Sequence, residues 1–235
     1  GAQGADRLRR KDRFERFTIK APGFAGGYLL DIYKKHSEAK SFYCGCDMHF
    51  ISDKLIPDWQ SCNYTPRKPI TRKGNTNVRA KRIEWEHVLP AYWFGYKYQC
   101  WQTNGRKSCR KNQIFTHMEG DLHNLQPVIG ELNQDRNNYH YAIIEDEMRR
   151  YNGCDFEVDF KLKKAEPRPE VRGDIARTYY YMIDRYNLKI IDDEGGIMKA
   201  MMAQWDKEDP VDQWERKRND LIEAIQGNRN TFIDH

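Results

Sequence analysis

Glu86 and His87 stand side by side at the end of an alternating run, Arg82-Ile83-Glu84-Trp85-Glu86-His87. Ile83 and Trp85 share one face of that run and Glu84 and Glu86 the other, the pattern of a short strand, and Pro90 stops it soon after His87. Neighbours on a strand point to opposite faces, so a Glu-His pair converges on one substrate only where the strand ends or bends. The surroundings are cationic. Between Trp59 and Met118 there are twelve Lys and Arg but only two acids, Glu84 and Glu86, a net of +10 that leaves the rest of the chain at −5. About forty residues on, the segment Asp121–Asn138 places Asn133 on an expected short helix. One carboxylate and one amide carbonyl suffice for a hard cation such as Mg2+, which takes oxygen ligands and keeps several waters. A histidine with an ordinary pKa of about 6.5 is mostly neutral at neutral pH and can take a proton from water. A base, one metal, cationic walls and phosphates together make the chemistry of phosphodiester hydrolysis.

The elements that must position these residues read as a single α+β domain. The chain has 235 residues, 32% of them charged, and a mean hydropathy of −0.95. Its 14 Tyr, 10 Phe and 6 Trp exclude an intrinsically disordered chain. No run of about 18 apolar residues is present, so no membrane partner is expected. Residues 1–26 read as a charged, irregular extension, part of it disordered, and 27–235 as the domain. A helix is expected over about Tyr28–Ala39, and strands and turns over Phe42–Tyr64. Basic loops are expected over 65–81 and over 95–118. Leu125–Val128 reads as a second short strand and Glu131 to about Asn138 as a short helix, with a helix or turn over Tyr139–Tyr151 and a strand over Val158–Leu162. The last third reads as helical: Ile175–Tyr186 with Asp174 as N-cap, Ile197–Trp205, and Val211–Ile225 ending at Gly227. Its aromatics, Tyr179–Tyr181, Trp205 and Trp214, read as packing layers.

Six cysteines, an even number without the paired spacing of a zinc site, favour three disulfides and an oxidising compartment. Six cysteines allow fifteen pairings, and the sequence does not choose among them. The pairing expected is Cys100–Cys109 as a local clip, Cys46–Cys62 as a second closure and Cys44–Cys154 as a long tie. A secreted or periplasmic protein is then expected, with a signal peptide absent from this chain.

Singly, the site features have plainer readings. A Glu-His pair is usually a surface pair, Asn124 suits an Asx turn, His123 a cap or packing role, and Trp85, Tyr92, Trp93 and Phe94 the core. The order of the parts is what points to a site, and there the resemblance becomes close. Trp85-Glu86-His87-Val88-Leu89-Pro90-Ala91, followed by Trp93-Phe94-Gly95, resembles the signature of the endonuclease I family of secreted and periplasmic bacterial nucleases. Asp121 to Arg136 resembles that family's second block, and Gly105–Cys109, Gly173–Tyr179, Phe42–Cys46 and Gln226–Asn228 resemble further family segments.

The resemblance, over about 27–233, implies a ββα-metal (His-Me finger) core within a mixed domain with a helical C-terminal third. It also implies sequence-nonspecific cleavage of double-stranded DNA, single-stranded DNA and RNA to 5′-phosphate ends. By position, His87 is the implied general base, Glu86 and Asn133 the ligands of one Mg2+, with Mn2+ or Ca2+ as substitutes in binding, and Arg106 the phosphate-stabilising cation. Asn124 is implied to fix the ββα motif, Glu119 to stand behind the site, and the protein to act as a monomer through phosphate contacts. Two alternatives stay open: a toxin-like DNase with a dedicated inhibitor, and a non-catalytic nucleic-acid-binding protein on the same fold.

Overall fold

The computed structural model describes residues 22–146, 148–189 and 197–235. Helix α1 (Pro22–Lys35) precedes a hairpin of β1 (Met48–Ile51) and β2 (Lys54–Pro57). Strand β3 (Ile83–His87) follows the basic loop, then α2 (Ala91–Gly95), α3 (Gln99–Asn104) and α4 (Gln113–Glu119). Next come β4 (Leu125–Ile129), antiparallel to β3, and α5 (Gly130–Arg136). A second sheet has the order β5 (His140–Tyr141), β7 (Lys164–Pro167), β6 (Phe156–Asp159), with β5 parallel and β6 antiparallel to β7. The C-terminal third is α6 (Arg172–Tyr186), α7 (Ile197–Glu208) and α8 (Gln213–Gln226). The α+β class is therefore as read. Helix α1 begins inside the stretch read as an extension, and 1–21 lie outside the described residues.

Several local expectations are corrected. The stretch 95–118 is mostly helical, not loop: α3, a 3-10 turn at Arg106–Lys111 and α4 follow one another. Helices of six or seven residues are marginal alone; here the Cys100–Cys109 disulfide ties α3 to the 3-10 turn, and Asn112 caps α4 by accepting from the Phe115 amide. Residues 139–151 hold the short strand β5 where a helix or turn was expected. The strand expected at Val158–Leu162 starts two residues earlier, and Asp159 instead closes the turn that follows by accepting from the Lys161 and Leu162 amides. Asp174 does not cap α6. It lies in the helix's first turn and faces Arg177, while the Gly173 amide donates to Asp209. The N-cap of α8 is Asp212, which accepts from the Glu215 amide; Gly227 ends the helix with a positive φ of 82°.

All three disulfides, Cys44–Cys154, Cys46–Cys62 and Cys100–Cys109, are formed as expected. The main core gathers Tyr43, Phe94, Phe115, Val128, Leu132, Phe156, Ile175 and Trp205. A second one packs α1 and β2 against Leu122, Leu125 and Ile222. Tyr179, Tyr181 and Trp205 are buried, as packing layers should be. Helices α1 and α8 brace the entry to β4: Arg218 donates to Tyr33 Oη and to the carbonyls of Leu122 and Leu125, and Tyr33 donates to Gln126.

Candidate active site

Strand β3 runs beside β4 with Glu86 opposite Gln126 and His87 opposite Leu125, and β4 passes directly into α5. That turn needs a glycine. A Cβ on Gly130 would meet Glu84 Oε1 at 2.6 Å and the Arg79 carbonyl at 2.8 Å, so a side chain there would push α5 off β3. Asn124 fixes the other end of the motif. It donates to the Leu89 carbonyl at 2.9 Å and accepts from the Leu89 amide at 2.8 Å, so the chain leaving β3 is stitched to the turn entering β4. The 36 residues between His87 and Asn124 thus form a closed excursion that carries Arg106 and Glu119 back to the strand end.

Together these elements line a cleft of about 650 Å³ whose walls include Glu86, His87, Arg106 and Asn133, with Arg79, Trp85, Tyr92 and Trp101 around them. Trp85, expected in the core, is half-buried: one side packs on Tyr33 at 5.6 Å and it reaches the cleft as well. Tyr92 and Trp93 are half-buried too, and Phe94 is core.

His87 Nε2 lies 2.8 Å from the backbone carbonyl of Glu119. A carbonyl only accepts, so Nε2 carries the proton and Nδ1 keeps its lone pair. The last carbonyls of a helix lack partners within it, and Glu119 ends α4; His87 uses one of these free acceptors. Burial, reinforced by Arg106, pushes the His87 pKa down to about 4, which leaves the imidazole neutral at neutral pH. The side chain of Glu119 meanwhile pairs with Arg106, which is half exposed and follows Gly105, whose φ of 67° and ψ of −162° are glycine territory.

Glu86 is buried, and both hydrogen bonds to its carboxylate end on Oε1: Tyr43 Oη at 2.9 Å and Arg136 Nη1 at 2.7 Å. Oε2 has no hydrogen-bond partner among the described residues, and Glu86 lines the cleft. Burial pushes this carboxyl above its ordinary range against the pull of Arg136 and Tyr43, so a cation at Oε2 would relieve a real desolvation cost. The Asn133 amide makes no hydrogen bond to the described residues and is half-buried on the same wall. Among the described residues no cluster of three or more His, Cys, Asp or Glu could hold a metal alone. A metal here would rest on Glu86 and Asn133, with water and phosphate completing it, and these hard oxygens suit Mg2+.

The sequence reading missed three supports. Arg136 is fully buried and binds Glu86, the His87 carbonyl at 2.8 Å and the Val88 carbonyl at 2.7 Å, locking the strand end. It lies one helical turn after the buried Leu132, a spacing that could have placed it on the inner face of α5. Glu131 and Asp135 flank Asn133 on the same helix and tie down the basic loop. Glu131 accepts from Tyr64 Oη and from the Arg67 and Lys68 amides, and Asp135 takes both arms of the Arg67 guanidinium.

The sequence model described as Endonuclease I matches residues 30–235. A periplasmic deoxyribonuclease of Aeromonas hydrophila is 44% identical over 207 residues, 88% of this chain and 82% of its own. Endonuclease-1 of Buchnera aphidicola subsp. Acyrthosiphon pisum (strain APS) is 42% identical over 95% of this chain and 84% of its own. An extracellular ribonuclease of Bacillus subtilis (strain 168) is 36% identical over 49% of this chain and 43% of its own.

Proposed function

The chain belongs to the endonuclease I family and is a nuclease, and we propose that it is a Mg2+-dependent, sequence-nonspecific endonuclease of DNA and RNA that leaves 5′-phosphate ends. The observation that carries the mechanism is the hydrogen bond from His87 Nε2 to Glu119, because it leaves Nδ1 as a neutral acceptor on a residue that lines the same cleft as Arg79 and Arg106. His87 Nδ1 takes a proton from the attacking water as its oxygen bonds to phosphorus. The bond to the 3′ oxygen breaks, and that oxygen leaves as a 3′-hydroxyl after taking a proton from solvent. Arg106, held by Glu119 at the cleft edge, offsets charge on the phosphate. Glu86 and Asn133 would hold the ion, and Arg136 and Tyr43 keep Glu86 aimed from behind. A bound magnesium ion would supply positive charge against the leaving oxygen. Contacts to phosphate and sugar carry no base information, which accounts for indifference to sequence. The protein is exported: relatives in Aeromonas hydrophila and Bacillus subtilis are periplasmic or extracellular by name, and the three disulfides suit an oxidising compartment.

The test is incubation with supercoiled plasmid and with RNA, with Mg2+ or with EDTA, followed by ligation of the nicked product. Both polymers should be cut with Mg2+ and spared in EDTA, and nicks should reseal because the ends are 5′-phosphate and 3′-hydroxyl. Binding without cutting under any divalent metal would favour a non-catalytic binder.

A further inference from the structure

The stretch 65–81 contains six Lys and Arg and no acid. The loop expected there is an ordered hairpin. Ile70 bridges Thr76, the Thr71 amide donates to the Asn75 carbonyl at 2.8 Å, and the Asn77 amide donates to the Pro69 carbonyl at 2.8 Å. Gly74, with a φ of 78°, turns the tip. Both feet are fastened to the helix that carries Asn133. The Lys68 amide donates to Glu131 at 2.8 Å, and the Asn77 side-chain amide donates to the Lys68 carbonyl at 2.9 Å and to Glu131 at 3.3 Å. From those feet residues 70–76 project into solvent, every one of them exposed.

The cations of this segment divide into two sets. Arg67 is spent on Asp135 and Arg79 on Glu84. Lys68, Arg72, Lys73 and Lys81 are exposed and make no ion pair with the described residues. Cations held on an ordered arm, whose anchoring carboxylate Glu131 is already taken up by hydrogen bonds, are electrostatically complementary to a polyanion. Ile70, 53% exposed between Lys68 and Arg72, adds an apolar contact suited to a sugar edge. Arg79, two residues past the second anchor Asn77, lines the cleft, so the arm springs from the cleft's own rim.

We infer that the 68–77 hairpin is a substrate-gripping arm. It holds nucleic-acid backbone outside the cleft through Arg72 and Lys73, and so favours polymers long enough to reach it over short oligonucleotides. This rests on the nuclease reading above and adds a length dependence to it. The arm contributes to capture and not to the bond-breaking step, since its residues are absent from the cleft wall.

The experiment compares the parent, Arg72→Ala/Lys73→Ala, and a control with the same charge loss, Lys199→Ala/Lys207→Ala, on plasmid and on a tetranucleotide. Each lost phosphate contact should reduce the salt slope of binding by about 0.9, and two contacts at 0.15 M salt amount to roughly thirtyfold in affinity relative to 1 M. The arm variant should therefore raise KM on plasmid about ten- to thirtyfold, flatten the salt dependence by about 1.8, and leave kcat and all tetranucleotide kinetics unchanged. A change no larger than the control's, or an equal loss on the tetranucleotide, would overturn the arm. A parent that cuts neither substrate would instead overturn the nuclease mechanism. The variant changes two exposed tip residues, and thermal melting of all three proteins is run alongside, equal midpoints being the check that the fold is retained.

Discussion

The imidazole of His87 and the backbone carbonyl of Glu119, 32 positions apart, are joined by a 2.8 Å hydrogen bond. The partner is main chain, so the tautomer does not depend on which side chain Glu119 carries. His87→Ala should therefore remove the base and little else. Cleavage of plasmid should drop by at least about 10²–10⁴-fold while a gel-shift titration of the same DNA stays near parent affinity. A fully active variant would take His87 out of the mechanism.

Arg136→Met addresses the buried pair behind the site. It strips Glu86 of its cation inside the protein, a change that costs about 3–5 kcal/mol when one partner of a buried pair is removed. Urea unfolding should show that loss, and adding Glu86→Gln should recover part of it by removing the stranded charge. Parent-like stability of the single variant would mean that the pair is energetically idle.

Stability should fall on mild acidification because of His123. This residue is buried against Tyr181 with Nε2 on the Asn228 carbonyl, and burial pushes its pKa down to about 4. The unfolded chain therefore takes up the proton first, and stability present at pH 7 is lost as pH falls from about 6.5 toward 4, by up to about 3 kcal/mol. Denaturant melts of parent and His123→Gln at about pH 7, 5.5 and 4.5, one value above that window and two within it, should give a shallower decline for the variant. Equal slopes would assign the effect elsewhere.

The disulfides should separate stability from activity. By loop-closure entropy the Cys44–Cys154 bond, spanning 110 positions, is worth about 4.8 kcal/mol, and Cys100–Cys109, spanning 9, about 2.7. Paired Ser substitutions should lower the melting midpoint in that order. The rate should fall more for the shorter bridge, because it ties the turn that begins with Arg106. The untreated chain should weigh six hydrogens less than the reduced one; six free thiols after unfolding would contradict all of this.

Strand β3, its partner β4 and the start of α5 were legible because alternation, Pro90 and Gly130 mark them directly in the residues. Arg106 and Glu119 were reachable only through the family resemblance. Nothing in Gly105–Cys109 or Glu119 taken alone says that a 36-residue excursion returns to the strand end. The helices within 99–119 leave no mark in the sequence because six or seven residues show no full amphipathic repeat and a disulfide substitutes for it. Arg136 escaped because a charged side chain is assumed to face water, and its burial depends on Glu86 and two carbonyls that only the folded chain gathers.

The long bridge encloses more than it stabilises. Cys44 and Cys154 close a covalent ring, and Glu86, His87, Arg106, Glu119, Asn124 and Asn133 all belong to it, while α6, α7 and α8 hang outside as a tail. A protease that nicks the chain once within the ring, at the exposed tip near Gly74 for instance, opens the circle without releasing either end. The two pieces stay linked through sulfur, and after a cut there Glu86, His87, Arg106, Glu119, Asn124 and Asn133 all remain on one piece. An enzyme built this way can survive a cut in a protease-rich milieu that would divide an unbridged chain into two diffusing fragments.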